Sequence, residues 1–428
     1  MRWSNYKIFV VVFSLINLDI PLKALPEGPF TSDTILSQNI KTVQLFKKGW
    51  EFSYPFLELS NKKGLLLCFD DLDDKSKSYS YTILHCDAGW MPTHISSSEY
   101  MEGFQQNPVT SFEPSQSTNI PYFHYSIKIP NERFSLKISG NYVVIVYEDN
   151  NEDNPVLIKR FVVTEQTVQL FATIRRPTVE TYQNTGQEVD FKIVHPGYEL
   201  DNPEQTLKIV VVKNNNWRAA VSGFKPVSMN ENEISYENDE KNIFLGGNEF
   251  RSFDCKDLKY QPANIQSINF INNDFQIVLK PDKPRNRTGY FYNEDLNGKY
   301  LVQNKQGTTP NTDAEYVHVH LSLSLYDPPD DGDIYVNGGF SDFTCYKENR
   351  MNYDADQKLY VADLLVKQGY YNYQYVWMPK NSNKADESYF EGSYFETEND
   401  YAIYVYYSPY GSLYDHLIAV KVINTLKP

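Results

Sequence analysis

Hydrophobic and polar positions alternate along most of this chain in short runs, the period-two signature of half-buried strands. In FHYSIKIP the residues Phe123, Tyr125, Ile127 and Ile129 fall on one face. GLLLCFDDL and YSYTILHCD flank the acidic turn DDLDDKSKS and read as a hairpin. Its centre, near Asp74–Lys75, sets Cys68 opposite Tyr81 and not Cys86. NYVVIVYED, the turn NNEDNP and VLIKRFVV form the clearest hairpin in the sequence. These segments predict a first domain over residues 27–165. TVQLFATI, EVDFKIVH, TLKIVVVK, NIFLGGNEFRSFDC and DFQIVLKP predict a second β-rich domain over 166–305, with a long loop or ribbon at 280–298. NKQGTTPNTD has linker composition. Beyond it EYVHVHLSLSLYD, GDIYVNGGF, KLYVADLLVK, YYNYQYVW, DYAIYVYYS and HLIAVKVI predict a third sandwich, 306–428, of immunoglobulin-like size. No stretch repeats apolar residues at helical spacing over three turns, so helices should be few and short. The expected fold is all-β, in tandem β-sandwich (immunoglobulin-like) domains.

Composition sharpens this picture. The 428 residues suit two to four domains, and the 34 Tyr and 25 Phe favour strands. A net charge of -15 repels phosphate backbones, which disfavours nucleic acid and anionic membranes as partners. Arg2 and Lys7 bracket a basic start before the apolar run Ile8–Leu18, and Ala24 offers a small residue at a cleavage point. The run is shorter than the ~20 residues that span a bilayer, so residues 1–24 are expected to be a signal peptide and the mature chain an exported soluble protein. Cys68, Cys86, Cys255 and Cys345 lack CxxC spacing, which excludes a zinc knuckle and leaves buried free thiols as the expectation.

Candidate chemistry is sparse. His318 and His320 share one strand face, but the other histidines are scattered and no third metal ligand stands at matching spacing. DPPDDGD, Asp327 to Asp333, fails as a calcium loop because Pro329 and Gly338 occupy ligand positions, so it reads as an acidic turn. His85, Cys86 and Asp87 are sequence neighbours whose side chains alternate across a strand, which prevents His85 and Cys86 from forming a catalytic pair. No GxSxG, P-loop or GxGxxG is present, no carboxylate pair is singled out, and an enzyme is not expected. The long connection from Trp90 to Tyr125 holds Trp90, Tyr100, Phe104, Phe112 and Tyr122 among Ser, Asn and Pro. Long loops of this composition suit a binding surface; equally, the aromatics fit a cover for the open end of a sandwich. GDIYVNGGFSDF (Gly332–Phe343) is similar to a strand and turn of starch-binding-type modules, with Phe343 where a sugar-stacking Trp would stand. With the tyrosines of YYNYQYVW as ring platforms, it supports an alternative: an exported carbohydrate-binding β-sandwich protein.

The motifs YTILHCDAGWMPT, SSSEYMEGF, PYFHYSIKIPNE, LKISGNYVVIVYED and PVLIKRFVV occur in order, followed by GQEVDFKIVHPGYELDNP, NIFLGGNEFRSFD, AEYVHVHLSL, GDIYVNGGFSDF, VKQGYYNYQYV and TENDYAIYVYY. From about Ile35 to Ile423 this series resembles the plug protein family of the Bacteroidota type IX secretion system, formerly a domain of unknown function. Gly89 departs from the acidic residue usual before the Trp of HCxxxW. The resemblance implies a periplasmic plug at the inner face of the outer membrane. Such a plug closes the periplasmic mouth of a giant outer-membrane β-barrel translocon by protein–protein contact. It implies no cofactor, catalysis, small-molecule substrate, nucleic acid or direct membrane span. The docking surface is expected in the Trp90–Tyr125 connection, with Trp90, Met91, Glu99, Tyr100, Gly103, Phe104, Phe112 and Tyr122 as contact residues. Deletion of Ser96–Ser117 is expected to abolish barrel binding and preserve the β signal.

Overall fold

Strands that alternate Tyr, Val and Ile with polar residues bury one face, and strands apolar at every position bury two. The chain uses both kinds. The computed structural model describes residues 28–60, 63–307, 309–326 and 328–426, so the proposed signal peptide lies outside the described residues. The fold is all-β, in sandwiches, and the described helices are single turns such as Ser97–Tyr100 and Ser388–Glu391.

Four sheets stack face to face. Sheet I holds, in spatial order, Ile40–Lys47, Leu65–Asp71, Phe123–Ile129 and Ser111–Pro114. Sheet II runs Thr34–Ile35, Pro155–Thr164, Gly140–Glu148, Tyr79–Cys86 and Gln106–Pro108. Sheet III contains Val221–Ser222, Leu207–Lys213, Asp400–Tyr407 and His416–Asn424. Sheet IV is built on Gln169–Arg175, Gly186–Val194, Glu233–Tyr236 and Ser228–Met229. Sheets I and II enclose the first core, with Leu67, Phe69, Tyr125, Tyr142 and Val144. Sheets III and IV enclose another, with Ile193, Phe191, Val211, Tyr401 and Ile403. A third apolar layer lies between sheets II and III, where Val143, Ile145 and Tyr147 meet Val212, Tyr404, Tyr406 and Leu417. Gly140–Glu148 is therefore buried on both faces, which explains why YVVIVY lacks alternation.

The remaining sandwich is an insert. Sheet V (Arg251–Asp254, Gly369–Pro379, Tyr300–Val302, with Gly332–Asn337 beside Gly369–Pro379) faces sheet VI. Sheet VI is ordered Ile265–Ile271, Asp274–Leu279, Tyr316–Leu323, Leu359–Lys367 and Asn352–Asp354. Their shared core includes Phe253, Ile277, Val317, Val336, Leu364 and Tyr375.

Three sequence expectations change here. Leu65–Asp71 and Tyr79–Cys86 are not a hairpin: the first pairs with Phe123–Ile129, the second with Gly140–Glu148. Because the acidic turn crosses between sheets, each strand turns its apolar residues toward the same core from opposite sides. The 305/306 division falls inside the insert, between Tyr300–Val302 and Tyr316–Leu323, which share one core. The linker-like stretch carries a turn of helix, Pro310–Asp313, whose Asp313 carbonyl accepts from Asn304 Nδ2 at 2.7 Å. Finally, Asp400–Tyr407 leaves the C-terminal block to pair with Leu207–Lys213. The hairpin of Gly140–Glu148 with Pro155–Thr164, its turn bearing left-handed Asp149 and Asn150, stands as expected; Cys68, Cys86 and Cys255 are free and buried as expected, whereas the free Cys345 is half-buried.

Candidate interaction surface

The Trp90–Tyr125 segment is built from local constraints, not left as a free loop. After Tyr79–Cys86, the Asp87 Oδ1 accepts from the backbone N–H of Gly89 at 2.8 Å and of Met91 at 2.9 Å. That turn holds Trp90 in the left-handed region, φ 68. Glu99 Oε2 accepts from the Ser96 N–H at 2.7 Å, half of the capping box that opens Ser97–Tyr100. Met101–Gly103 then pairs with Phe134–Leu136. Gly103 sits at φ 103, and a Cβ there would meet the Arg133 carbonyl oxygen at 2.1 Å, so only glycine fits. Gln106–Pro108 and Ser111–Pro114 close the edges of sheets II and I.

Three of the eight expected contact residues are internal. Trp90 packs edge-on against Trp217 at 5.1 Å, with the Arg160 guanidinium 4.9 Å from its ring centre. The Tyr100 hydroxyl donates to the Ile83 carbonyl at 3.1 Å inside the first core. The Tyr122 hydroxyl donates to the Ala314 carbonyl at 2.8 Å, and Lys367 Nζ stands 4.1 Å from its ring centre. Trp90 and Tyr122 join the first sandwich to its neighbours, Tyr100 packs within it, and all three are buried. Met91, Phe104 and Phe112 are exposed, Phe104 at 68%, and Glu99 and Gly103 are exposed beside them in sequence. Phe112 lies over Tyr125 at 5.4 Å, so its outer face alone is free.

The first sandwich is bolted to the insert by a buried ionic cluster that sequence reading missed. Lys367 Nζ lies 2.7 Å from Asp70 Oδ2, both side chains being almost fully buried. The same carboxylate accepts from the Tyr316 hydroxyl at 2.7 Å, and its other oxygen meets His124 Nδ1 at 2.7 Å. Burial pulls the Lys367 ammonium down from its ordinary pKa, against the opposing pull of Asp70. Glu315 adds a second tie, accepting from the backbone and side chain of Asn119 at 2.6 and 2.8 Å. An acid within an apolar run, as in LLLCFDD, is the signal that marks such a site.

Other expected sites resolve simply. His318 contacts Asp363 at 3.0 Å and His320 contacts Gln276 Oε1 at 2.6 Å, on the outer face of sheet VI. Among the described residues no three His, Cys, Asp or Glu side chains are grouped to hold a metal. Burial pushes the Cys86 thiol up to about 12 and the His85 imidazole down to about 4. His85 spends its nitrogens on Thr93 and the Ser139 carbonyl. Asp331 and Asp333 pair with Lys380 and Arg350, and Asp327 lies outside the described residues. Phe343, Tyr371, Tyr373 and Tyr375 are buried and offer no face to a sugar ring.

The fold defines a class: an all-β protein of several packed sandwiches. Residues 40–165, the first sandwich, match the family described as type 9 secretion system plug protein 1st domain. A crystal structure of a hypothetical protein from Parabacteroides merdae ATCC 43184 superposes with a TM-score of 0.89 at 33% identity. That alignment covers 92% of this chain and 99% of that one. A structure of Escherichia coli alpha-2-macroglobulin aligns at 12% identity and a TM-score of 0.15, which carries no argument. No match was found among curated proteins. The chain belongs to the type IX secretion system plug family.

Proposed function

We propose that this protein is exported to the periplasm and closes the periplasmic mouth of the giant outer-membrane β-barrel translocon of the type IX system. It does so by protein–protein binding, without catalysis or cofactor. The observation that carries this reading is the family match over residues 40–165, which is also the unit bearing Met91, Phe104 and Phe112 on its surface. The layered packing supports it: a closure must resist deformation, and sheets I to IV share continuous apolar layers. No helix among the described residues is long and apolar enough to cross a membrane.

The test is affinity purification from native outer membranes. Deletion of Ser96–Ser117 is unsuitable, because it removes Gln106–Pro108 and Ser111–Pro114 from two sheets. Phe104→Glu with Phe112→Glu changes two surface side chains, the second giving up its packing on Tyr125. The double variant is expected to fold with a slightly lowered melting temperature, and to recover the barrel at less than a tenth of the wild-type yield. Wild-type recovery of the barrel by that variant removes the proposed docking surface. Failure of the wild type to recover a barrel removes the plug reading itself.

A further inference from the structure

A cleft of about 900 Å³ separates the first sandwich from the insert. That volume falls in the ~300–1,000 Å³ range of built binding pockets. One wall is residues 35–42, the other residues 363–366, and Phe340 supplies aromatic lining between them, over the buried rings of Tyr300 and Tyr371. Each wall includes a strand edge, residues 36–39 of the first being turn. Ile40–Lys47 is the outermost strand of sheet I. Across the cleft, Asn352–Asp354 pairs only with Leu359–Val361, so the rest of Leu359–Lys367 has no neighbouring strand on that side. Natural sheets protect such edges with charge, proline or a covering element. The sequence ADLLV at 362–366 has one charge, Asp363, which is held by His318.

Local strain marks the same place. Thr42 adopts φ 51, a left-handed conformation that a β-branched residue rarely takes. Pairing with Leu65–Asp71 skips from Lys41 to Gln44 around it. Its hydroxyl is within 2.6 Å of the Tyr316 hydroxyl, so the insert holds the bulge open. The charged lining is Lys41 with Glu348, beside Asp342, which is ion-paired with Lys159, and Asp363, which is held by His318.

We propose that this cleft is a binding site for an extended polypeptide segment that adds as a strand to one of its edges. Free main-chain edges select a β-strand over a helix or a small molecule. At about 3.3 Å per residue, the 363–366 wall accommodates roughly four to six residues of partner. Apolar side chains at alternate positions meet Leu36, Leu365 and Phe340, and a Lys or Arg answers Glu348. A second copy of this chain is a poor occupant because its net charge of -15 repels the acidic lining. The site is separate from the exposed Phe104 and Phe112 and does not rest on the plug reading.

The experiment pans a displayed library of random ten-residue peptides against the purified full-length protein, then measures the enriched peptides by fluorescence polarisation. Enriched sequences should alternate apolar residues with at least one Lys or Arg. N-methylation of alternate peptide amides should weaken binding at least tenfold. Gln38→Trp, at an exposed side chain of one wall, and Leu365→Lys, on the other, should each do the same with unaltered melting. Phe104→Glu should leave affinity unchanged. No enrichment, enriched peptides that bind both wall variants normally, or a dimer in sedimentation that Gln38→Trp dissolves would each overturn the proposal.

Discussion

The residue that most exposes the physics of this molecule is Lys367. An ammonium and a carboxylate buried together gain from each other, but removing one leaves the other desolvated and unpaired. Lys367→Met strands the Asp70 carboxylate at an internal junction with only Tyr316 and His124 beside it. The expected loss is about 3–5 kcal/mol, read as a lowered urea midpoint. Asp70→Asn in the same chain should restore most of it, because no unpaired charge remains. Asp295 gives a pH dependence. Burial pushes its carboxyl up to about 7, with Glu249 and Glu398 adding to the rise and the backbone N–H groups of Asn297 and Phe250 opposing it. A raised folded-state pKa means stability that is complete below the unfolded carboxyl value and lost as pH climbs through the folded one. Chemical denaturation should therefore show stability falling from about pH 4 to about pH 7, and Asp295→Asn should flatten that slope. An unchanged slope in the variant excludes Asp295 as its source.

At the scale of elements, burial on both faces of Gly140–Glu148 makes a prediction that a free-standing sandwich does not. Ile83 lies in the core between sheets I and II, and Ile145 in the layer between sheets II and III. If sheet II faced water, Ile145→Ala would cost less than about 0.5 kcal/mol. The stacked arrangement predicts about 2–5 kcal/mol for Ile145→Ala, comparable with Ile83→Ala, measured by equilibrium unfolding. The same element shows what was legible in sequence. Its hairpin with Pro155–Thr164 could be read because the turn is short and both strands are strongly apolar. The false hairpin at residues 65–86 looked identical locally. Period-two alternation says that a strand has an inner face, and says nothing about which sheet supplies its neighbour. Phe123–Ile129 was readable for the same reason, with Tyr125, Ile127 and Ile129 buried. The aromatic content of Trp90–Tyr125 was visible, whereas the division into internal Trp90, Tyr100 and Tyr122 and exposed Met91, Phe104 and Phe112 depends on Trp217, Ile83 and Ala314, far away in sequence.

At the scale of the whole molecule, chain order and spatial order part company at the last two strands. Asp400–Tyr407 returns across the insert to pair along its full length with Leu207–Lys213. His416–Asn424 follows it into sheet III. A return of this kind needs contacts nearly two hundred residues apart, which no local pattern encodes. Its consequence is that the first sandwich, although it matches a family domain by itself, does not possess all of its own burial. Val143, Ile145, Tyr147, Ile158, Val162 and Trp90 are covered by sheet III and by Trp217, which belong to the remainder of the chain. Cutting the protein to residues 28–165 uncovers these side chains as one contiguous apolar face, and faces of that size drive association. The truncated chain should keep its strand circular dichroism, because the core between sheets I and II is complete, yet elute as oligomers or precipitate. Val143→Lys with Ile145→Glu should render it monomeric, while the same pair in the full chain should unfold sheet III from sheet II. A soluble, monomeric 28–165 fragment without those changes would show that the first sandwich is independent and that the layer joining it to sheet III is a dispensable contact.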